Sequence, residues 1–438
     1  MSNWVELINR KKEGDFLESE EIEEFLNAFQ RDEIAPEQAS AFLMAAVLNG
    51  LDDEETEAFT KTLIGSGQVL GFKDLGYPPV DLAETGGVGG NGALVAIPIA
   101  ASYGAKLPII GERSLGIFGG LLDRLETIPG FRTDIGLSEF QENVRAHGIA
   151  IAGQTQELTP TEIKMSQLRA NTGCLGGAEL TTASLLALKA SAGVRGLVIE
   201  IACGSGGLVA DPKEARRLAD CLATIGERLG IHITGCITNR DNPLGQGIGD
   251  VLELTQAIDT LRGGGPDDYK EVALDLAASL LMIGQLSTDH AQGLELANKA
   301  IADGRAFEKL KEIVAHQGGD TLTLENPENL PRSQGKREIL TQRAGHVKAI
   351  DSKLLGKAWM HLGGSRAKRG DSCDHRVGVE IHKKVGDAVS KGEPLVTLYT
   401  SERSQADDAI EAVEEAYLLS PDPTDKQRAI VENFGRYR

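Results

Sequence analysis

The sequence predicts an α/β protein with a small helical lobe, a larger mixed α/β lobe on a mostly parallel sheet, and a β-rich C-terminal module. Three patterns support this prediction. Apolar residues recur at helical spacing in the first 70 residues. From about residue 78, short apolar runs alternate with glycine turns and helical segments, as in βαβ units. Near the C-terminus, residues 378–398 alternate as strand, turn and strand.

Helix signals are clear at the N-terminal end. Ile22 and Phe25 belong to an apolar stripe, and Ser19 is placed to cap that helix. Pro36 can open the next helix and Gly50 can close it. A third helix follows, so we expect a small bundle.

Strands and helices then alternate. The predicted strands cover residues 106–110, 148–152, 196–203 and 232–238, and a helical block at 181–192 interrupts them. The division we predict is a helical lobe from 1–70 and 161–194, an α/β lobe from 78–160 and 195–318, and a C-terminal α+β module from 338–438. A cleft between the two lobes is the expected ligand site.

Composition narrows the class of protein. The chain has 438 residues and a formal net charge of -20, which argues against binding to nucleic acid or to an anionic membrane surface. No apolar run reaches the length of a membrane span, and the N-terminal residues lack the pattern of a signal peptide. We therefore expect a cytoplasmic protein.

The cysteines and histidines give no sign of a metal or disulfide framework. Five cysteines are scattered without a Cys-x-x-Cys pair, and eight histidines show no ligand spacing. Cys203 and Cys236 lie in apolar strand-like runs, so we expect buried thiols. No cofactor is predicted from these residues.

The most informative stretch is the glycine-rich turn at residues 84–92, followed by an apolar helical run at 93–103. Such a turn points backbone N–H groups at a bound anion. However, the turn opens with Glu84 and contains no Lys or Arg. The main chain thus suits phosphate, whereas the side chain disfavours it.

Further motifs follow in a fixed order. They are Thr85-Gly86-Gly87-Val88-Gly89, Gly119-Gly120 with residues 122–131, Gly153-Gln154-Thr155, Thr182-Ala183-Ser184, Gly204-Ser205-Gly206, Asn242-Pro243-Leu244-Gly245, and Val377-Gly378 after Asp371 and Asp374. Together they resemble the pyrimidine-nucleoside and thymidine phosphorylases over nearly the whole chain. The resemblance implies two hinged lobes, a homodimer, and phosphorolysis of an N-glycosidic bond to a free base and a pentose 1-phosphate.

The phosphate side departs from that family. Leu82-Ala83-Glu84 replaces the family's Lys-His-Ser. At three later positions where the family has Ser or Thr, this chain has Ala93, Gly111 and Leu121. A carboxylate about 4 Å from a phosphate charge costs roughly 4 kcal/mol at an effective dielectric of 20. We therefore expect phosphate to be a poor co-substrate.

The base side is partly kept. Arg169 matches the arginine that holds the pyrimidine carbonyl and Ser184 matches its hydroxyl partner, whereas the family's Tyr is Ser166 and a nearby Lys is Leu188. The resemblance thus implies base contacts from Arg169 and Ser184 in a roomier, less cationic pocket. The alternatives are a salt bridge between lobes for Arg169 and a bond to its own helix for Ser184.

The loop residues complete the candidate site. We expect Thr85, Gly87, Gly89 and Asn91 to face the sugar or acceptor, with Arg113 at the end of a strand, where ligands of α/β sheets bind. The resemblance also implies a monovalent-cation site. Its carbonyls would come from Gly89, Asn91, Leu244 and Gly247, but the family's Glu is Gln256.

Three functions remain open. The first is pentosyl transfer from a pyrimidine-like nucleoside, in the conservative form phosphorolysis with backbone donors alone. The second keeps the glycosyl chemistry but uses water or another nucleophile, with Glu84 as the general base. The third is an inactive nucleoside-binding or regulatory homologue, in which Glu84 is a solvated acid of a dead site. Glu84 could also hold a cationic substrate.

Overall fold

The computed structural model describes residues 4–368, 370–402 and 404–435. Four helices open the chain: α1 (Trp4–Glu13), α2 (Ser19–Gln30), α3 (Pro36–Asn49) and α4 (Asp53–Gly65). As predicted, Pro36 begins α3 and Gly50 ends it. The φ angle of Gly50 is 74°. Ser19 does not cap α2: it is the first helical residue, and Glu18 holds the cap position.

The α/β lobe and its helical insertion follow. The elements are β1 (Val80–Glu84), α5 (Ala93–Ser102), β2 (Leu107–Gly111), α6 (Leu121–Glu126), α7 (Leu137–His147), β3 (Ile149–Gly153), α8 (Pro160–Thr172), α9 (Ala178–Ser191), β4 (Gly196–Cys203), α10 (Pro212–Arg228), β5 (His232–Asn239), β6 (Gly247–Ile248), α11 (Asp250–Leu261), α12 (Asp267–Ile283), α13 (His290–Ala302) and α14 (Arg305–His316). The alternation of apolar runs with helical segments in the sequence predicts this order of elements. The apolar runs form strands β1, β2, β3 and β4, and these strands are buried.

The C-terminal part is rich in short strands. It contains α15 (Leu322–Glu325), a 3-10 turn (Pro327–Asn329), β7 (Gly335–Leu340), β8 (Gly345–Ile350), α16 (Ser352–His361), β9 (Gly378–Ile381), β10 (Ala388–Val389), β11 (Pro394–Thr400), α17 (Ala406–Ala416), β12 (Tyr417–Ser420) and β13 (Ile430–Phe434). Strand β9 pairs with β6 of the α/β lobe, so the module shares a sheet with that lobe.

The central sheet is mostly parallel, which confirms the predicted fold class. Strand β4 pairs in parallel with β1 on one side and β5 on the other, and β2 pairs in parallel with β3. One part of the predicted division is wrong. The last strand, β13, does not belong to the C-terminal module but pairs antiparallel with β5, where it covers the open edge of the central sheet.

The two helical segments form one lobe. A single apolar core contains Phe25 and Phe42 from the N-terminal helices together with Met165 of α8 and Ala183 of α9. The insertion buries its apolar face against α2, α3 and α4, because it has no such partner within its own segment. The cleft between this lobe and the sheet is where the ends of β1 and β2 emerge.

The cysteines and the length of the helices bear on the expectations from composition. Cys203 and Cys236 are buried, as predicted, and all five cysteines, which lie within the described residues, are free thiols. Among the described helices, none combines the length and apolarity needed to cross a membrane.

A buried ion pair links the lobes. Lys189 of α9 donates to Asp81 Oδ2 of β1 at 2.7 Å and to the carbonyl of Ile110 at 2.8 Å, and both charged side chains are almost fully buried. Burial raises the pKa of Asp81, and Lys189 opposes that rise. The pair therefore fixes the inserted helix to the sheet beside the cleft.

We predict that Lys189→Met lowers the free energy of unfolding by about 3–5 kcal/mol, because it leaves the Asp81 carboxylate buried without its cation. Urea denaturation measures the change. Lys61→Met is the matched control, since Lys61 pairs with Glu57 at the surface and its side chain is 59% exposed; we expect a loss below about 1 kcal/mol there. Equal losses in both variants would contradict the assignment.

Candidate active site

The interlobe cleft consists of two adjoining cavities of about 710 and 600 Å³. The larger lies at the glycine-rich loop, and the smaller reaches Arg169 and Ser184 of the helical lobe. Both are lined by Glu84, Thr85 and Arg113. The structure therefore brings the predicted loop residues and the predicted base-side residues into one continuous cleft.

Glu84 occupies the anion position of the glycine-rich loop. It is the last residue of β1, and its carboxyl group accepts hydrogen bonds from the backbone N–H of Ala93, at 3.2 Å, and from the side-chain amide of Asn91. Ala93 is the first residue of α5, whose N-terminal N–H groups favour negative charge. The Glu84 carboxyl group thus uses one backbone N–H at the start of α5 and one loop side-chain amide that could otherwise donate to a bound anion.

The carboxyl group of Glu84 is poised to exchange a proton near neutral pH. The side chain is half-buried and lines both cavities of the cleft. Desolvation, followed by the nearby carboxylate of Glu200, raises the pKa of Glu84 to about 8. Arg124 and Arg240 act in the opposite direction. An acid–base group with such a pKa suits general acid–base catalysis.

The structure also reveals charged residues that the sequence analysis missed. Arg240, just beyond β5, donates to Glu200 of β4, and Arg124 of α6 donates from Nε to Glu253 Oε2 at 2.6 Å. Both arginines are 2% exposed and line the larger cavity together with Glu200. Two arginines from outside the loop therefore supply positive charge to the site, although the loop itself contains no Lys or Arg.

A local signal for these residues was present. Glu200 interrupts the otherwise apolar run of β4, and a charge in a fully buried strand requires a partner. Arg240 follows the next parallel strand at the same sheet edge. That neighbourhood follows from the strand order β1-β4-β5, which the sequence alone did not specify.

Arg169 and Ser184 contact each other, as their matched positions imply. Arg169 Nη1 donates to Ser184 Oγ at 3.0 Å, and other guanidinium N–H groups donate to the carbonyls of Cys174 and Gly176. Arg169 is buried and organises the turn between α8 and α9 rather than forming a salt bridge between lobes. Its contact leaves the Ser184 hydroxyl hydrogen free to donate to a ligand.

The other predicted contacts lie along the cleft. Thr85 Oγ1 accepts from the backbone N–H of Ala202 at 3.0 Å, so this hydroxyl also holds the loop against β4. The loop residues Gly87, Gly89 and Asn91 line the larger cavity. Arg113 lines both cavities, but it is exposed and forms a bidentate pair with Glu126, at 2.6 and 2.7 Å. Arg113 therefore reaches a ligand only if that pair opens.

The predicted cation ligands are close together, but their contacts do not suit a monovalent cation. Gln256 Oε1 accepts from the N–H groups of Gln246, at 2.7 Å, and Gly247, at 3.3 Å. Its Nε2 is buried without a hydrogen-bond partner, next to Gly90 and Gly245. The carbonyl of Leu244 accepts from Gly90 N at 2.7 Å. A donor thus occupies the place where a cation needs another oxygen.

A second group of potential metal ligands has another role. Atoms of Asp123, Cys373 and His375 lie within 4.8 Å of one another. Both oxygens of Asp123 already accept from protein donors, Ser114 N at 2.5 Å and Arg366 Nη1 at 2.7 Å. Asp123 therefore ties α6 to the C-terminal module.

Known proteins with similar sequences cover nearly the whole chain. Three domain patterns match: the glycosyl transferase family helical bundle domain at residues 5–67, the glycosyl transferase family a/b domain at 76–307, and the pyrimidine nucleoside phosphorylase C-terminal domain at 346–420. The pyrimidine-nucleoside phosphorylase of Geobacillus stearothermophilus is 35% identical over 98% of this chain and 99% of its own length. That of Staphylococcus haemolyticus is 34% identical over 96% and 97%.

A solved structure shares the fold at lower similarity. The anthranilate phosphoribosyltransferase of Thermus thermophilus aligns with a TM-score of 0.59 and 20% identity, over 71% of this chain and 98% of its own. At that identity the likeness concerns the fold alone.

Two predictions follow from this geometry, and the first concerns pH. The folded protein retains the Glu84 proton up to a pKa of about 8, whereas an unfolded Glu releases it near its ordinary pKa of 4.5. The native state thus binds more protons between these pH values, and stability falls as pH rises. Relative to Glu84→Gln, we expect the wild type to lose on the order of 1–3 kcal/mol between pH 5 and pH 9.

Urea denaturation of both proteins at several pH values tests this prediction. The exposed substitution Glu411→Gln is the control for loss of a charge. A constant difference between wild type and Glu84→Gln across the pH range would show that Glu84 titrates normally.

The second prediction concerns the cation. Gln256→Glu places a carboxylate among the loop carbonyls, so we expect K⁺ to raise the melting temperature of this variant by about 1 °C over Na⁺-free, K⁺-free buffer, corresponding to roughly 1 kcal/mol for a chain of this length. The wild type should show no specific K⁺ effect. Gln246→Glu, at an exposed neighbouring position, is the control. A wild type stabilised by K⁺ as strongly as the variant would show that the amide does bind the ion.

Proposed function

Because the chain belongs to the pyrimidine-nucleoside phosphorylase family, we propose that it transfers the pentosyl group of a pyrimidine-type nucleoside to an acceptor in the interlobe cleft. One observation carries the proposal for the acceptor. The carboxyl group of Glu84 lies on the N-terminus of α5, in the same cleft as the Arg169–Ser184 pair. Glu84, an acid–base group, therefore stands where the family has a side chain that binds phosphate.

The base end of the substrate lies against the helical lobe. The Ser184 hydroxyl donates to a base carbonyl, while Arg169 fixes that hydroxyl and adds positive charge. Ser166 and Leu188 also line this cavity. Their small or apolar side chains leave room for a base larger than an ordinary pyrimidine.

The acceptor end lies at Glu84. An oxocarbenium-like pentose needs a nucleophile below the anomeric carbon, and a carboxylate there can take the proton from a hydroxyl nucleophile. Water is the simplest such nucleophile. A phosphate dianion, by contrast, would lie against an acid that already uses the N–H of Ala93. We therefore place Glu84 as the general base and Ser184 with Arg169 as the base-binding pair.

The assembly and location of the protein are also proposals. The family resemblance supports a homodimer, and the net charge of -20 supports a soluble cytoplasmic enzyme that binds no nucleic acid. Light scattering after size-exclusion chromatography measures the oligomeric state.

We predict release of free base from a panel of pyrimidine nucleosides without phosphate, with a rate that rises as Glu84 ionises toward pH 8–9. Glu84→Gln should lower kcat by about 100-fold or more, because the nucleophile loses its base. Liquid chromatography of the free base measures the rate, with the panel run with and without inorganic phosphate.

The other outcomes identify the alternatives. Release only with phosphate, unchanged in Glu84→Gln, would establish phosphorolysis with backbone donors. No release, with a nucleoside still raising the melting temperature, would establish an inactive nucleoside-binding protein. The exposed variant Glu411→Gln should behave as the wild type in every arm.

A further inference from the structure

We infer that Cys373 is a modification site: a nucleophilic thiol that reacts with peroxides and other small electrophiles ahead of the other four cysteines of the chain. The inference is independent of the proposed pentosyl transfer. It rests on a group of three side chains outside the glycine-rich loop, in which the thiol of Cys373 lies against His375 and His375 binds Asp250. We call these three residues the thiol cluster.

A buried carboxylate holds the imidazole of the thiol cluster. His375 Nδ1 donates to Asp250 Oδ2 at 2.7 Å, and Asp250, the first residue of α11, is 1% exposed. The hydrogen bond to Asp250, followed by the one to Cys373, raises the pKa of His375 to about 10. The ring is therefore an imidazolium cation at neutral pH, and Asp250 fixes its orientation.

The thiol lies next to this cation. Cys373 Sγ is 3.9 Å from both ring nitrogens of His375. A neighbouring imidazolium favours the thiolate over the thiol, and the thiolate is the nucleophilic form of cysteine. The side chain of Cys373 is half-buried rather than enclosed, so a small reagent can reach the sulfur.

The other charged groups near the sulfur pair with one another. An oxygen of Asp123 lies within 4.8 Å of the thiol, but Asp123 Oδ1 accepts from Arg366 at 2.7 Å and lies 3.5 Å from Arg113 Nη1. The pKa of Arg113 is raised, first by Glu126 and in part by Cys373, which places this guanidinium group near the sulfur as well. The Asp123 carboxylate thus faces two arginines, whereas the direct contact of the thiol is the imidazolium.

The other four cysteines are buried or kept protonated. Cys174, Cys203 and Cys236 are buried. Cys221 of α10 is half-buried like Cys373, but burial raises the pKa of its thiol to about 11. At neutral pH this thiol is protonated and therefore a poor nucleophile. Cys221 is thus a matched control within the same molecule.

The reaction with hydrogen peroxide consumes one peroxide for each thiol. The thiol proton passes to water as the thiolate forms beside His375. A lone pair of the sulfur then attacks one peroxide oxygen and the O–O bond breaks, so that the sulfur is oxidised to a sulfenic acid and the peroxide is reduced. The leaving hydroxide takes a proton from the imidazolium, which solvent returns, and the products are the sulfenic acid and water.

Cys373 lies beside the wall of the interlobe cleft. Its neighbour Asp123 accepts from Arg366, and Arg366 lines the smaller cavity. The carbonyl of Arg366 also accepts from the N–H of Gly116, which lines the larger cavity. A group added to the sulfur therefore lies next to contacts that shape both cavities.

Competition between the two half-buried thiols tests the inference with the unmodified protein. The folded protein is treated at pH 7 with limiting iodoacetamide, and the alkylated peptides are quantified over time by mass spectrometry. We expect Cys373 to react at least about tenfold faster than Cys221, because its thiolate is favoured. In concentrated urea the two rates should differ by less than about threefold, since the thiol cluster is lost.

Three results of this experiment overturn the inference. They are equal or inverted rates in the folded protein, no alkylation of Cys373, and a preference for Cys373 that persists unchanged in urea. The last result would show that the local sequence, rather than the folded contact with Asp250 and His375, sets the reactivity.

Hydrogen peroxide provides the second measurement. The folded protein is exposed to peroxide in the presence of dimedone, which traps sulfenic acids, and the adducts are located by mass spectrometry. We expect at least about tenfold more adduct on Cys373 than on Cys221. An even distribution, or no adduct on Cys373, refutes the reaction with peroxide.

Variants assign the reactivity to the thiol cluster. His375→Gln keeps a hydrogen-bonding side chain but removes the cation, so we expect alkylation of Cys373 to slow by about tenfold while Cys221 is unchanged. Asp250→Asn weakens the hold on the cation and should act in the same direction. His232→Gln, at an exposed histidine, should change neither rate. The comparison uses variants whose buried cysteines remain unlabelled, and an unchanged Cys373 rate in both cluster variants overturns the inference.

Discussion

The structure at the cleft depends on keeping several charges in balance beneath the glycine-rich loop. Glu84, the last residue of β1, lies opposite Glu200 in the adjacent parallel strand β4, and the proximity of these two carboxyl groups would be costly in a poorly hydrated region. Arg240 and Arg124 relieve that repulsion from two other elements. Glu253, whose pKa burial raises to about 7, in turn pairs with Arg124. Each of these buried charges is therefore stabilised by an opposite charge nearby.

The same packed charges also account for the glycine content of the loop. The loop remains glycine-rich because its backbone lies against other side chains. A Cβ atom at Gly90 would lie 2.7 Å from Gln256 Nε2, and one at Gly87 would meet Arg240 as closely. The glycines thus accommodate neighbours as well as ligands, and their presence alone does not establish an anion site.

The cleft joins this charged region to a more apolar one. On the helical lobe, Arg169 is committed to shaping a turn, and Ser184 presents the hydroxyl. The Lys189–Asp81 pair keeps that lobe in register with β1, whose last residue is Glu84. Ser184 on the helical lobe and Glu84 at the end of β1 are therefore fixed relative to each other through one short strand and one helix.

The sequence alone determined the element types, because apolar periodicity and the Pro36 and Gly50 boundaries act locally. It also predicted Ser184 as the partner of Arg169, since order along the chain carries the family pattern. Only the tertiary structure decided that Arg240 and Arg124 lie near enough to Glu84 to lower its pKa, and that β13 pairs with β5 at the edge of the central sheet. Those contacts join residues far apart in sequence, and their energies depend on burial and on strand order, neither of which a local pattern encodes.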